Sequence, residues 1–370
     1  MDPAAPGQVI RQGRGQIAAP TIYDVAQAAG VAIGTVSQAL NGRGRMRPAT
    51  RERIQAEADR LGFRPNDLAH SLLRGRSFTV GLLSTDSYGR FSIPVMAGIE
   101  DALGTAQVSV FLCDTQQNPE RERHYIDSLL AKRVDGIIVT APRTDPRPPI
   151  DVDTRRVPVL YAYSQVADPD TLCLLPDDAQ GARLAVEHLL QHGRRHLAHI
   201  TGPEQYEAVR LRATAMRHVL AENGIDLPDG HILHGPWREN WGYTAVGRLL
   251  AADPRVDAIF CGSDQVARGV VDGLHERGVR VPDDVAVVGF DNWEALAGAT
   301  RPPLTTVDIC LHELGRQAGL RLLAIIAGDP ARGHLLLPCR LVVRDSCGTP
   351  ATHARSSRQT YEEREDEDDL

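Results

Sequence analysis

Four histidines crowd into residues 188–199, at His188, His192, His196 and His199. Imidazoles at i, i+4 on one helix face have metal-binding spacing. Gly193-Arg194-Arg195 breaks this run between a helical stretch and a strand, so the four are expected on the surface and no metal is expected. The six cysteines (113, 173, 261, 310, 339, 347) form no CxxC pair, which argues against a zinc or redox motif and suits a reducing compartment. GxSxG, GxxxxGK[ST] and HExxH are absent. Gly13-Arg14-Gly15 and Gly42-Arg43-Gly44 lack the third glycine of a dinucleotide fingerprint and follow no strand. Catalysis is not indicated, and no cofactor is expected.

The remaining chemistry is that of binding. Polar or aromatic residues follow the apolar strand segments: Ser84 to Asp86, Tyr163-Ser164, Thr201-Gly202-Pro203, Ser263-Asp264 and Asp291-Asn292. Open parallel sheets hold ligands at this end of their strands. Arg212, Trp237 and Trp241 lie near in sequence. Ring faces that cover C–H patches, with carboxylates, amides and an arginine for hydroxyls, suit a polyhydroxylated ligand. Asp264 opens a helical stretch and reads as its N-cap, with ligand contact the alternative. Asp291 as a turn cap and Trp241 as a core residue remain open alternatives.

These residues need elements to hold them. Strand segments 79–84, 108–113, 136–140, 157–163, 196–201, 258–262 and 285–290 alternate with amphipathic stretches such as 178–193 and 264–278. Such alternation builds parallel sheets covered on both faces. Close to eleven strand candidates exceed one doubly wound domain, so two similar α/β lobes are expected. The chain of 370 residues, 42% hydrophobic and 24% charged, can bury a large core. No run of 18 apolar residues occurs and no signal peptide is evident, so no membrane partner is expected and the cytoplasm is.

The net charge of -7 hides an asymmetry. Residues 1–76 hold 11 Arg against 6 Asp or Glu, a net +5, and the rest carries -12. Within the basic head, TIYDVAQAAG (21–30) reads as a helix with Thr21 and Asp24 in a capping box. IGTVSQALNG (33–42) reads as a second helix and 48–62 as a third. The buried faces are expected to be Ile22, Val25, Ala26 and Ala29, then Val36, Ala39 and Leu40, then Ile54, Ala58 and Leu61. Ile33, Gly34, Ser37, Gln38 and Asn41 are left facing outward. Two short helices joined by a glycine-containing turn and braced by a third describe a helix-turn-helix; a generic three-helix bundle is the alternative.

TIYDVAQAAGVAIGTVSQALNG resembles the helix-turn-helix of the LacI family of bacterial transcription regulators. The similarity continues through RPATRERIQAEADRLGFRPNDLAHSLLRGRS, VDGIIV, DDAQGARLAVEHLLQHG, SDQVARG, RVPDDVAVVGFDN and RPPLTTVD, covering about residues 21–346. It implies an all-α helix-turn-helix domain ahead of a two-lobed α/β body like periplasmic binding proteins, with doubly wound parallel sheets. The implied boundaries are a leader at 1–20, a DNA-binding domain at 21–65, a hinge helix at 66–76, a body at 77–347 and an acidic tail at 348–370. Within the body, the first lobe is expected at 77–176 and 305–335, and the second at 177–304 and 336–347.

The resemblance implies a repressor, a homodimer on double-stranded operator DNA, controlled by a small-molecule effector between the lobes. The implied DNA contacts are Thr21, Ile33, Gly34, Thr35, Ser37, Gln38 and Asn41, with Leu72 as a minor-groove wedge. The implied effector contacts are Phe91, Tyr163, Arg212, Trp237, Ser263 and Asp291. A sugar is the expected effector and a purine the alternative. Removing Arg212 is expected to abolish the effector response alone. Three departures from the family pattern stand in the head: Ala32 and Arg47 replace serines, and Gln38 replaces arginine. Glutamine pairs with adenine where arginine favours guanine. The early ligand-facing loop also departs, reading Gly89-Arg90-Phe91-Ser92 instead of N-P-F-F. A solute-binding protein for uptake would need an export signal and no helix-turn-helix. A sugar-processing enzyme would show turnover.

Overall fold

The computed structural model describes residues 20–40, 44–63, 76–86 and 89–348. They form two compact units divided between Ser77 and Phe78.

The first unit holds three helices: α1 (Ile22–Ala29), α2 (Ile33–Leu40) and α3 (Pro48–Leu61). The Asp24 carboxylate accepts from Thr21 N and from Thr21 Oγ1, each at 2.7 Å, so two groups at the helix start are satisfied together. Gly30 ends α1 at φ 61°, a left-handed conformation that glycine adopts without a Cβ clash. Arg47 precedes α3 without a side-chain cap, and Pro48 in the first turn presets the helical φ. Val25, Ala26, Ala29, Val36, Ala39, Ile54 and Ala58 close a small core. Ile22, Leu40 and Leu61, expected inside, are only partly buried, and Phe63 fills the core in their place.

In the second unit the strands are β1 (Thr79–Ser84), β2 (Ser109–Asp114), β3 (Gly136–Thr140), β4 (Pro146–Arg147), β5 (Val159–Ala162), β6 (Gln165–Val166), β7 (Cys173–Pro176), β8 (Leu197–Thr201), β9 (Ile232–His234), β10 (Ala258–Cys261), β11 (Ala286–Phe290), β12 (Thr305–Asp308), β13 (His334–Leu337) and β14 (Arg340–Val342). The helices are α4 (Ser92–Thr105), α5 (Pro119–Ala131), α6 (Asp178–Gln191), α7 (Glu207–Glu222), α8 (Glu239–Ala252), α9 (Asp264–Glu276), α10 (Glu294–Ala297) and α11 (Leu311–Ile326). One sheet runs β13-β7-β5-β3-β1-β2, the other β14-β12-β11-β10-β8-β9, and β4 pairs only with β6. All pairings are parallel except β12 with β14. The central strands β3, β8, β10 and β11 are buried at every position, as continuous Val/Ile/Leu-rich runs under two helical layers must be.

Each sheet reverses its winding once, at β1 with β3 and at β8 with β10. Ligand crevices form at such reversals. The chain crosses between sheets three times: after β7, after β12 and between β13 and β14. This corrects the expected lobe boundaries. Residues 305–308 belong to the second sheet, where β12 lies between β11 and β14, and the first lobe extends through Leu337 in β13.

The histidine expectation is also corrected. His199 is fully buried, its ring stacked 4.5 Å from Phe260 with Nδ1 2.8 Å from the Phe260 carbonyl. His188 is buried as well. Among the described residues no group of histidines, cysteines and carboxylates could hold a metal ion. No helix among them is long and apolar enough to cross a membrane.

Candidate functional site: a cleft between two lobes

A cleft of about 290 Å³ opens between the two sheets' strand ends. Phe91, Tyr163, Arg212, Trp237, Ser263 and Asp291 all line it. The first two belong to the first lobe and the other four to the second.

Arg212, on α7, is only 5% exposed. Its Nε donates to Asp178 Oδ1 at 2.8 Å, Nη2 lies 2.6 Å from the same oxygen, and Nη1 donates to the Gly262 carbonyl at 2.7 Å. The guanidinium sits 3.6 Å over the Phe290 ring. Burial opposes its charge, but Asp178 and Asp291 outweigh that and hold its pKa above the ordinary value. Arg212 is therefore a structural pillar of the second lobe as well as a cleft wall. Its removal cannot act on a ligand alone, because Asp178, itself 3% exposed, would lose its partner.

Asp291 follows β11 at φ 102°, a backbone region that side-chain-bearing residues rarely occupy. Its carboxylate accepts from Arg90 Nη2 at 2.9 Å. Burial raises its pKa, with the Arg90 and Arg212 charges pulling the other way. Asp264 is not the cap of α9; Ser263 is, accepting from Val266 N at 3.2 Å. Asp264 instead accepts from Thr306 Oγ1 at 2.5 Å and Trp293 N at 2.6 Å, tying β12 and the loop after β11 to α9. Burial, with Asp291 close by, pushes its pKa up to about 7.

The aromatic residues are set by close packing. Tyr163 stacks on Phe91 with centroids 5.3 Å apart, and burial holds its hydroxyl far above the ordinary tyrosine range. Trp237 packs against Gly202, where an added Cβ would come within 2.1 Å of the indole. Trp241 packs with the second lobe's core, and its Nε1 donates to the Thr201 carbonyl at 3.0 Å. Its role is structural, the alternative left open by the sequence.

Arg90, Arg143, Asp145 and Tyr206 are among the cleft residues that sequence reasoning missed. Arg90 lies within the loop already singled out, but nothing local reveals a partner 201 positions away. Asp145, before β4, accepts from Glu207 N at 2.9 Å in the first turn of α7. Tyr206 at that helix's N-cap offers no cap of its own, and Arg143 lies 4.9 Å over its ring.

In the head, Thr21, Ile33, Gly34 and Gln38 are exposed, and Thr35 and Ser37 are half-buried. Asn41 and Leu72, with the whole expected hinge helix apart from Arg76, lie outside the described residues.

A helix-turn-helix head in one chain with a two-lobed parallel α/β body is the construction of a ligand-responsive transcription regulator. The family described as "Bacterial regulatory proteins, lacI family" matches residues 21–66, and "Periplasmic binding protein-like domain" matches residues 186–347. Catabolite control protein A of Priestia megaterium is 33% identical over 304 residues, 82% of this chain and 91% of that protein. The ribose operon repressor of Escherichia coli (strain K12) is 32% identical over 300 residues, 80% of this chain and 90% of that protein. The solved structure of the lac repressor dimer bound to operator and the anti-inducer ONPF is similar with a TM-score of 0.73 at 28% identity, covering 89% of this chain and 99% of that chain. The chain belongs to the lacI family of bacterial regulatory proteins. It is a DNA-binding regulator of transcription with a periplasmic-binding-protein-like body.

Proposed function

We propose that this regulator is a cytoplasmic, non-enzymatic repressor. It acts as a homodimer whose affinity for operator DNA changes when a sugar enters the cleft. The observation that carries the reading is the convergence of Phe91, Tyr163, Arg212, Trp237, Ser263 and Asp291 on one cleft of about 290 Å³. Ring faces and fixed polar groups there match the alternating C–H and hydroxyl surfaces of a sugar. The ribose operon repressor and a regulator solved as a "CelR-cellobiose complex" point the same way.

Ligand in the cleft would change the lobe angle, and with it the spacing of the two heads, provided it binds the two lobe arrangements unequally. In the head, Thr21, Ile33, Gly34, Thr35, Ser37, Gln38 and Asn41 would face DNA, and Leu72 would wedge into the minor groove. A purine is the second reading, favoured by the stacked Phe91 and Tyr163 rings and by relatives of 29–31% identity named HTH-type transcriptional repressor PurR. Calorimetry against panels of sugars and nucleobases tests the two. Binding of nucleobases alone would overturn the sugar reading.

A further inference from the structure

Arg90 belongs to the first lobe, in the loop between β1 and α4, yet its charged end lies on the second. Its Nη2 donates to Asp291 Oδ2 at 2.9 Å. Its guanidinium carbon stands 4.4 Å from the Phe91 ring and 4.8 Å from that of Trp293, so one aromatic ring from each lobe contacts it. Among the described residues Nη1 is buried without a hydrogen-bond partner. The side chain is 22% exposed, and the Asp291 side chain 5%. Arg90, Phe91 and Asp291 also line a second cavity of about 500 Å³ that reaches the β12–α11 crossover at Cys310. Arg90 thus forms part of the partition between the two spaces.

The ends of β11 and β8 flank that of β10 in the second sheet. Arg90 clasps the β11 side, and Asp145 clasps the β8 side by capping α7 at Glu207 N. We infer that Arg90 is a tethered occupant of the cleft: it holds the lobes closed without ligand, and an effector must displace it from Asp291. A cation supplied by the protein occupies the carboxylate that a sugar hydroxyl would otherwise engage. Only a ligand that replaces this charge-assisted bond gains from entering. Arginine in place of the proline of the N-P-F-F loop gives this chain its own threshold for response. The effector clause rests on the proposed cleft function; the closure does not.

The Glu207 amide reports closure from the far side of β10. It sits in a helical first turn, where no intrahelical acceptor exists, and donates across the cleft to Asp145. Hydrogen exchange is measured on the full-length, ligand-free protein, wild type beside Arg90→Met, which keeps an unbranched stem between the rings. Exchange at Glu207 should rise at least tenfold, the lower end of what a hydrogen bond to a charged group carries, while β10 amides stay protected. Unchanged exchange at Glu207 would overturn the clasp. If β10 exchange rises too, Asp291→Asn removes the pair from the other lobe. Faster exchange at Glu207 with β10 protected then supports the clasp, and any other pattern overturns it. Failure of the sugar reading would show separately, as an absence of calorimetric heat with sugars in both proteins.

Discussion

Arg212 and Asp178 form a buried ion pair that joins α7 to α6, with Nη2 2.6 Å from Oδ1. Both side chains are at most 6% exposed. Breaking such a pair leaves an uncompensated buried charge, which typically costs about 3–5 kcal/mol. Arg212→Ala should therefore lower the thermal midpoint of the ligand-free protein, beyond any effect on a ligand. Arg212→Lys should rescue little, because one ammonium cannot reach both the Asp178 carboxylate and the Gly262 carbonyl in the same fork. A melting curve of each variant decides it. An unchanged midpoint in the alanine variant would show that the pair contributes nothing net.

Gly202→Ala is the cleaner probe of the cleft. The new Cβ would meet the Trp237 ring at 2.1 Å and push it from its seat. Sugar affinity should drop at least tenfold, or about 1.4 kcal/mol, with little change in ligand-free operator binding. Calorimetry beside a gel shift separates the two effects.

Asp264 makes stability depend on pH near neutrality. Its folded pKa of about 7 lies above the unfolded value of about 4, so the folded state holds the extra proton between them. The stabilisation is complete below pH 4 and is lost as pH rises through 7, amounting to a few kcal/mol at most. Asp264→Asn can still accept from Trp293 N and donate to Thr306 Oγ1. Wild-type melting temperature should fall from pH 5 to pH 8 more steeply than that of the asparagine variant. Parallel curves would assign the pH dependence to other groups.

Gln38→Arg should change which sequences are bound more than how tightly DNA is held. Gln38 is exposed on α2. A base-edge contact carries about 1–3 kcal/mol of discrimination. Selection from a random duplex library, run for both proteins, reads the preference directly. Identical motifs would reduce Gln38 to a backbone contact.

The head's arginines should make operator binding steeply salt-dependent, since each neutralised phosphate releases counterion. A flat dependence between about 50 and 200 mM salt would contradict binding through the basic head.

The strands were legible because apolar runs bounded by turns leave a local trace, and the seven segments read from sequence all fall on strands. What they pair with leaves none. TTVD in β12 has the same pattern whichever sheet it joins, so sequence does not assign its lobe. Residue type alone places His188 and His199 on the surface, because it does not show that a neutral imidazole can be buried. In the second lobe, Ser263 and Asp291 are visible as strand-end positions. Arg90 and Asp145 are not, since each acts across the cleft on a partner at least 62 positions away.

The three crossings between sheets bear on how the protein is made. β13 is the outermost strand of one sheet and β14 of the other, and both fall within residues 334–342. Neither lobe is complete until nearly all of the body has left the ribosome. The head carries its own core between Val25 and Phe63. At about 5–20 residues per second, some 15–55 s of synthesis separate the head's last core residue from β13. During that interval a nascent chain can present a finished DNA reader while still lacking the closed cleft meant to govern it.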